Sequence, residues 1–128
     1  MPLRDQIRII VVDDMSTSRG LITQALDGFG VRQVETAPDG PSALAKIARW
    51  PVHLVISDMN MPGMNGLQLL HALRSGAATR GVGFLLITGR ADRQIVDTGK
   101  RLGMNNFLAK PFQPADLRGA IEAVVGRL

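Results

Sequence analysis

The chain has 128 residues, a length for which we expect a single domain over residues 1–128. It contains no cysteine, so disulfides and thiolate metal sites are excluded. The formal net charge is +4, but aromatic residues make up only 4% of the chain and are not interleaved with the basic ones, so we expect no nucleic-acid partner. No apolar run approaches the ~20 residues of a membrane span, and the first residues lack the apolar stretch of a secretory signal. We therefore expect a soluble, cytoplasmic protein with no membrane partner.

Apolar runs and helical patterns alternate along the chain. The runs predict strands at about 7–12, 31–36, 52–57, 82–87 and 105–109, and apolar residues at helical spacing predict helices at about 16–28, 41–49, 65–74, 91–102 and 114–127. Three of the runs are continuously apolar, which is typical of strands that are covered on both faces. The alternation predicts an α/β fold whose parallel strands are joined by right-handed crossovers.

Several helix ends carry recognisable signals. Ser16 or Thr17 is expected to cap the first helix, which Gly28 and Gly30 are expected to end. Asn65 is expected to cap the third helix, and residues 113–114, Gln-Pro, are expected to open the last one.

The most informative polar residues follow the predicted strands directly. They come from four different strands, yet each stands where its strand ends: Asp13, Asp14, Asp58, Thr88 and Lys110. In an open parallel sheet, ligands bind beyond the carboxyl ends of the strands, where the strand order reverses. These side chains are therefore expected to share one site.

The charges in that site restrict what it can hold. Two carboxylates ~4 Å apart repel by about 4 kcal/mol at an effective dielectric constant near 20, and three carboxylates with one lysine remain net negative. Either one carboxyl group is protonated or a cation binds. Oxygen ligands favour hard cations, and Mg²⁺ binds one or two carboxylates together with phosphate oxygens and water. The pattern thus indicates a site for Mg²⁺ and a phosphoryl group.

Two adjacent aspartates at the first strand end raise a geometric problem. Consecutive strand residues face opposite sides, so Asp13 and Asp14 can both face the site only if the chain leaves its extended geometry there. The alternative is that one of them caps the following helix.

Four segments together are typical of a known family. Residues 11–14 read Val-Val-Asp-Asp, residues 57–66 read Ser-Asp-Met-Asn-Met-Pro-Gly-Met-Asn-Gly, residues 87–89 read Ile-Thr-Gly, and residues 107–112 read Phe-Leu-Ala-Lys-Pro-Phe. In this order, each at a strand end, they resemble the response-regulator receiver family, in particular its single-domain chemotaxis members. The resemblance implies a doubly wound five-stranded parallel sheet, order 2-1-3-4-5, flanked by five helices in a flavodoxin-like arrangement.

The resemblance also implies the chemistry of two-component signal transduction. Asp58 would accept a phosphoryl group from a sensor histidine kinase in a Mg²⁺-dependent reaction. Asp14, Asp58 and the main-chain carbonyl of Asn60 would hold Mg²⁺, and Asp13 would act largely through water. Such a protein is a phospho-accepting regulator that catalyses only its own phosphorylation and dephosphorylation, not an enzyme.

Other residues receive roles from the same resemblance. Lys110 would pair with a phosphoryl oxygen, Thr88 would hydrogen-bond to the phosphoryl group, and Gly89 would keep access to it open. Phe107 would be a switch aromatic that moves inward behind Thr88. The bond between Lys110 and Pro111 would be cis, an isomer that proline permits at low cost.

A partner surface is also implied. No output domain follows in the chain, so we expect a monomer that signals through a surface around Arg93, Val96, Lys100 and Phe107. In the chemotaxis members that surface binds the flagellar motor switch protein, and its basic character here suggests an acidic target segment.

Two other functions remain open. The same residues would serve a stand-alone receiver that acts as a phosphorelay intermediate or phosphate sink, with a histidine phosphotransfer protein as partner. A remoter alternative is a flavodoxin-like cofactor binder or a small aspartate-nucleophile phosphatase. The carboxylates would repel a flavin phosphate, however, and no glycine-rich phosphate loop follows the first strand.

Overall fold

The computed structural model describes residues 2–90 and 92–128, and it contains the predicted strands and helices within a few residues of their expected bounds. The strands are β1 (Arg8–Val12), β2 (Gln33–Ala37), β3 (Leu54–Asp58), β4 (Gly83–Thr88) and β5 (Asn106–Ala109). The helices are α1 (Leu3–Gln6), α2 (Ser16–Gly28), α3 (Gly40–Arg49), α4 (Gly66–Ser75), α5 (Arg93–Leu102) and α6 (Pro114–Val125). The first of these, with 4 residues, was not expected, because a single turn is too short to show helical periodicity. The described residues thus form six helices, not five.

The five strands form one parallel sheet in the order β2-β1-β3-β4-β5, as the resemblance implied. The pairing places Val12 opposite Ser57, Asp58 opposite Ile87, and Thr88 opposite Ala109. The carboxyl ends of β1, β3, β4 and β5 therefore lie side by side. This register brings polar residues that are far apart in sequence to one edge of the sheet.

Two apolar clusters cover the two faces of the sheet. On β1, Ile9 and Val11 belong to the cluster that packs against α2 and α6, whereas Ile10 and Val12 belong to the cluster that packs against α3 and α4. Both faces of the strand are buried, which explains why its sequence is continuously apolar instead of alternating.

Most of the predicted helix ends are confirmed. The Asn65 carboxamide oxygen accepts the main-chain N–H of Gln68 at 2.9 Å, and the Gln68 side chain accepts the N–H of Asn65 at 2.8 Å. Pro114 is the first residue of α6. Gly30, with a φ of 84°, takes the left-handed conformation that follows many helices.

The predicted cap of α2 is wrong. Ser16 and Thr17 lie inside the helix, and Met15 precedes it without a side-chain cap bond. The reason is the tight turn after β1, in which Met15 is still extended and the helix begins at the next residue. Within residues 2–90 and 92–128, no helix is long and apolar enough to cross a membrane.

Candidate functional site

Three carboxylates meet at the carboxyl edge of the sheet. Asp13 follows β1, Asp14 comes next, and Asp58 is the last residue of β3. One oxygen from each lies within 4.8 Å of the other two. Asp13 and Asp58 are buried, whereas Asp14 is exposed, so the cluster is closed on the protein side and open to solvent on the other.

The turn after β1 allows both adjacent aspartates to face the cluster. The Asp13 Oδ1 atom accepts the main-chain N–H of Met15 at 2.9 Å, and the Asp13 carbonyl accepts a hydrogen bond from Arg19 Nη1 at 2.6 Å. These bonds hold the chain out of its extended geometry as it leaves the strand. Neither aspartate is the N-cap of α2, so the structure favours the shared site over the alternative in which one of them caps the helix.

Asp13 has one oxygen that the protein leaves without a partner. Among the described residues, its buried Oδ2 atom forms no hydrogen bond. A buried carboxylate oxygen without a donor is costly unless another ligand satisfies it. Together with the all-oxygen donor set, this atom makes the cluster fit a hard divalent cation such as Mg²⁺.

Lys110 supplies the positive charge of the site. Its Nζ atom lies 2.8 Å from Asp58 Oδ1, and its main-chain N–H donates to the carbonyl of Thr88 at 2.8 Å. The lysine thus links β5 to both β3 and β4, and its ammonium group faces the phosphoacceptor candidate.

The pKa of Asp58 is raised above its ordinary value, and the main cause is burial of the carboxyl group. The hydrogen bond and the charge of Lys110 lower this pKa, whereas the negative charges of Asp13 and Asp14 raise it further. With all three carboxylates ionised, one lysine leaves the cluster net negative, as the sequence led us to expect. A bound cation would stabilise the ionised form of Asp58.

Thr88 occupies the position expected of a residue that responds to a phosphoryl group. It is 1% exposed, and its Oγ1 atom accepts the main-chain N–H of Arg90 at 3.0 Å. Beside it, Gly89 is exposed, and a Cβ atom built there would meet open space.

The other residues singled out in the sequence lie near this edge or on α5 and β5. Asn60 is exposed two residues after Asp58, and Phe107 is half-buried on β5, where it packs against the same apolar cluster as Val96. Arg93 and Lys100 are exposed on α5, and Arg93 pairs with Asp97 at 3.7 Å. The peptide bond between Lys110 and Pro111 is cis, as the resemblance implied.

Two residues that position the site were not recognised in the sequence. Gly66, the first residue of α4, packs so closely that a Cβ atom would lie 2.6 Å from the carbonyl oxygen of Asp58. Arg19 reaches back from α2 to the Asp13 carbonyl. The glycine could have been suspected from its place after the Asn65 cap, but no sequence pattern shows that a helical arginine folds back onto a carbonyl group.

This arrangement agrees with the comparison with known families. A family model described as the response regulator receiver domain matches residues 9–122. The chain belongs to this family.

Three of the proteins that resemble this receiver match it over almost the whole chain compared. A Rhizobium etli protein named "Probable chemotaxis protein CheY" is 41% identical over 128 residues, which is 100% of this chain and 99% of that protein. The structure of the Vibrio cholerae chemotaxis protein CheY4 has a TM-score of 0.87 at 32% identity, covering 92% of this chain and 98% of that chain. The receiver domain of a Pseudomonas aeruginosa sensor histidine kinase, which has a magnesium ion coordinated in its active-site cleft, has a TM-score of 0.84 at 26% identity, covering 94% of this chain and 98% of that chain.

The receiver fold accounts for the placement of the site in this chain. Crossover connections bring the ends of β1, β3, β4 and β5 to one edge, and the polar residues stand at those ends. The result is a response regulator whose acidic cluster has the ligand type that Mg²⁺ requires.

Proposed function

We propose that this chain is a diffusible response regulator of a two-component system, and that Asp58 accepts a phosphoryl group from a phosphohistidine of a sensor histidine kinase. The observation that carries this proposal is the contact between Asp58 and Lys110 inside a cluster of three carboxylates. A carboxylate oxygen of Asp58 attacks phosphorus, the P–N bond to the donor imidazole breaks, and an acyl phosphate forms. The protein acts on itself and turns over no other substrate.

Asp13, Asp14, Asp58 and the carbonyl of Asn60 are the groups that would hold Mg²⁺. The ion, when bound, neutralises phosphoryl oxygens and the charge of the cluster. Lys110 offers its ammonium group to a phosphoryl oxygen, which stabilises the charge that builds up during transfer. The Asp58 carboxylate, which contacts Lys110 in this structure, loses its negative charge when the acyl phosphate forms. The ammonium group is then released to bind the phosphoryl group.

The signal is proposed to leave through Thr88 and Phe107. The phosphoryl group brings about −1.5 to −2 charges and new acceptor oxygens to the edge of the sheet. The hydroxyl of Thr88 turns to donate to one of them, and Phe107 moves into the space behind it. To change the ratio of switched to unswitched molecules from 1:99 to 99:1, the phosphoryl group must stabilise the switched conformation by about 5.5 kcal/mol more than the unswitched one. A few charge-assisted hydrogen bonds of about 1.5–3 kcal/mol each suffice for that.

The apolar surface beside Lys110 supports a protein donor. A groove of about 510 Å³ is lined by residues of α2 and of the segment after β5: Ser18, Leu21, Ala25, Lys110, Pro111, Phe112 and Pro114. Leu21, one of these lining residues, is 63% exposed. A kinase segment that covers this groove would bury Leu21 and bring its phosphohistidine to Asp58.

The test is phosphorylation of the purified protein by a small phosphodonor. With Mg²⁺ and acetyl phosphate, intact-mass spectrometry should detect one added phosphoryl group. The addition should be lost in Asp58→Asn and after chelation of Mg²⁺, and it should persist in the matched variant Asp97→Asn, whose carboxylate is on the exposed face of α5. Phosphorylation of Asp58→Asn at the parent rate would refute the assignment.

We propose chemotaxis as the process served, because the Rhizobium etli and Vibrio cholerae relatives are named as chemotaxis proteins. The output surface would then comprise Arg93, Val96, Lys100 and Phe107, and its target would be an acidic segment of the flagellar motor switch protein. Binding of that segment should require phosphorylation and should weaken when Arg93 and Lys100 are replaced by glutamate. If a histidine phosphotransfer protein exchanges phosphoryl groups with the chain while the motor segment does not bind, the role as a phosphorelay intermediate or phosphate sink is correct instead.

We further propose that residues 1–128 act as one receiver domain, as a monomer in the cytoplasm. The family model matches residues 9–122, and the two cores of the sheet draw on residues from Ile7 to Leu128. Analytical ultracentrifugation of the unphosphorylated protein tests the monomeric state.

A further inference from the structure

Strand β2 forms one open edge of the sheet, opposite the edge formed by β5. The carbonyl of Ala37 accepts the N–H of Asp13 and therefore points toward β1. Because main-chain groups alternate in direction along a strand, those of Val34 and Thr36 point away from the sheet. An edge of this kind is a template on which another extended segment can pair.

Lys46 covers part of this edge. Its ammonium group extends from α3 and donates a short hydrogen bond to the carbonyl of Thr36. Lysine at a sheet edge is a common way to prevent pairing with another sheet. Here the ammonium group binds a neutral carbonyl, and among the described residues no carboxylate lies within ion-pair distance of it.

The surroundings of Lys46 add to the positive charge. A groove of about 360 Å³ runs beside β2 and is lined by Glu35, Lys46, Arg49 and Trp50. The guanidinium carbon of Arg8 lies 6.0 Å from the centre of the Trp50 ring, and Arg8 Nε donates to the carbonyl of Pro51 at 2.6 Å. In the part of the chain that the structure describes, neither Arg8 nor Arg49 forms an ion pair. Arg8, Lys46 and Arg49 thus stand around this groove, and Glu35 is the one acid among its lining residues.

We propose that this basic edge, defined by Arg8, Lys46, Arg49 and Trp50 beside β2, binds an extended acidic segment of a partner protein. The main chain of the segment would pair with Val34 and Thr36. Its carboxylates would pair with Lys46 and Arg49. As the segment docks, the Lys46 ammonium group moves from the Thr36 carbonyl to a carboxylate, and the carbonyl accepts a main-chain N–H in return.

Other occupants fit the edge less well. A second copy of the chain, paired through the same strand, would bring six of these cations together with only two acids, the Glu35 of each copy. A nucleic acid would leave the outward main-chain groups unpaired and would find one face of the Trp50 ring already occupied by Arg8.

This basic edge is distant from the proposed motor-binding surface. That surface lies on α5 and β5, and β5 is at the other side of the sheet. The two surfaces can therefore be occupied at the same time, and the inference does not depend on phosphorylation of Asp58.

Trp50 makes the proposal directly testable, since it is the one tryptophan of the chain. The full-length protein is titrated with a peptide of about eight residues in which glutamate and threonine alternate, a length that covers an ordinary strand. We expect a saturable change in tryptophan emission that weakens as salt is added. Three further probes are needed: the same peptide with alternate main-chain nitrogens methylated, its lysine–threonine analogue, and a single-stranded oligonucleotide.

The variants Lys46→Ala and Arg49→Ala should each weaken binding of the acidic peptide by about tenfold, which corresponds to about 1.4 kcal/mol. The matched control Arg101→Ala removes an exposed cation of α5 and should bind as the parent does. Because Arg49 is exposed, its variant is expected to fold, and circular dichroism checks this.

Four results would overturn the proposal. They are no emission change with the acidic peptide, equal binding of the methylated or lysine peptide, equal binding by Arg49→Ala, and tighter binding of the oligonucleotide. Concentration-dependent dimerisation of the parent that becomes tighter in Lys46→Ala would identify the edge as a self-association surface and would also overturn the proposal.

Discussion

Replacing Asp58 by asparagine should stabilise the protein when Mg²⁺ is absent. One oxygen of Asp58 lies within 4.8 Å of an oxygen of Asp13 and of Asp14. At an effective dielectric constant near 20 and the full 4.8 Å, each such pair repels by about 3.5 kcal/mol, so the two together cost about 7 kcal/mol at that distance. The contact with Lys110 at 2.8 Å recovers about 6 kcal/mol on the same scale. The charge interactions therefore nearly cancel, and burial of the carboxyl group leaves its ionised form with a net penalty.

The expected effect of Asp58→Asn is thus a gain of about 1 kcal/mol in the free energy of unfolding, or a rise of about 4 °C in Tm. The asparagine oxygen still accepts a hydrogen bond from Lys110. Urea denaturation with a chelator measures the gain. With Mg²⁺ added, the parent should be stabilised according to its affinity for the ion, and the variant much less, because it has lost one of three carboxylates.

The pH dependence of this gain follows from the direction of the pKa shift. Because burial raises the pKa of Asp58, the folded chain holds the proton more tightly than the unfolded chain. Stability from this group is present below about pH 4, the ordinary pKa of an unfolded aspartate, and is lost as the pH rises through the folded pKa. The difference between variant and parent should be smallest near pH 4 and should grow toward neutral pH.

The matched control for this experiment is Asp97→Asn, which removes an exposed carboxylate that pairs with Arg93 at 3.7 Å. It should change the free energy of unfolding by less than about 1 kcal/mol. If Asp58→Asn instead destabilised the chelated protein by 1 kcal/mol or more, the attraction of Lys110 would outweigh the repulsion, and the charge balance derived from these distances would be wrong.

Three further perturbations test the surroundings of the site. Arg19→Ala removes the hydrogen bond to the carbonyl that follows β1, and calorimetry should detect about a tenfold loss of Mg²⁺ affinity that Arg19→Lys partly restores. Gly66→Ala places a Cβ atom 2.6 Å from a main-chain oxygen, and urea denaturation should show a loss of about 2 kcal/mol or more. Asp39→Ala removes the cap of α3 and should lower stability. Hydrogen bonds from Ser42 lower the pKa of Asp39, so the ionised cap stabilises the fold. The loss in the variant should therefore be full above about pH 4 and should shrink as the pH falls further.

Each of these has an outcome that contradicts it. Unchanged Mg²⁺ affinity in Arg19→Ala would remove the arginine from the support of the site. Gly119→Ala is the control for Gly66→Ala, because a Cβ atom there meets nothing within 4 Å, and it should stabilise α6 slightly; equal effects of the two would refute the steric argument. A loss in Asp39→Ala that persisted unchanged at pH 2 would show that the cap does not act through its charge.

Much of the fold can be predicted from local patterns in the sequence. The run Ile9–Val12 is continuously apolar because both faces of β1 are buried, and a pattern of that kind identifies a central parallel strand without any structure. Asn65 and Gln68 form a capping box that depends only on residues three apart. The order of the strands came from the four family segments, since periodicity alone does not determine which strands are neighbours.

The sequence by itself also determined the chemistry of the candidate site, because residue type and position at a strand end are local properties: Asp13, Asp14, Asp58 and Lys110 could be named as its charged members. Only the tertiary structure decided how they meet. The turn held by Arg19 brings both adjacent aspartates to the cluster, and Gly66 lets α4 approach Asp58. The same holds for Lys46 on the β2 edge. The contacts of Arg19 and Lys46 join a side chain to a distant main-chain carbonyl, and Gly66 lies against the main chain of β3. No spacing in a sequence encodes such distances.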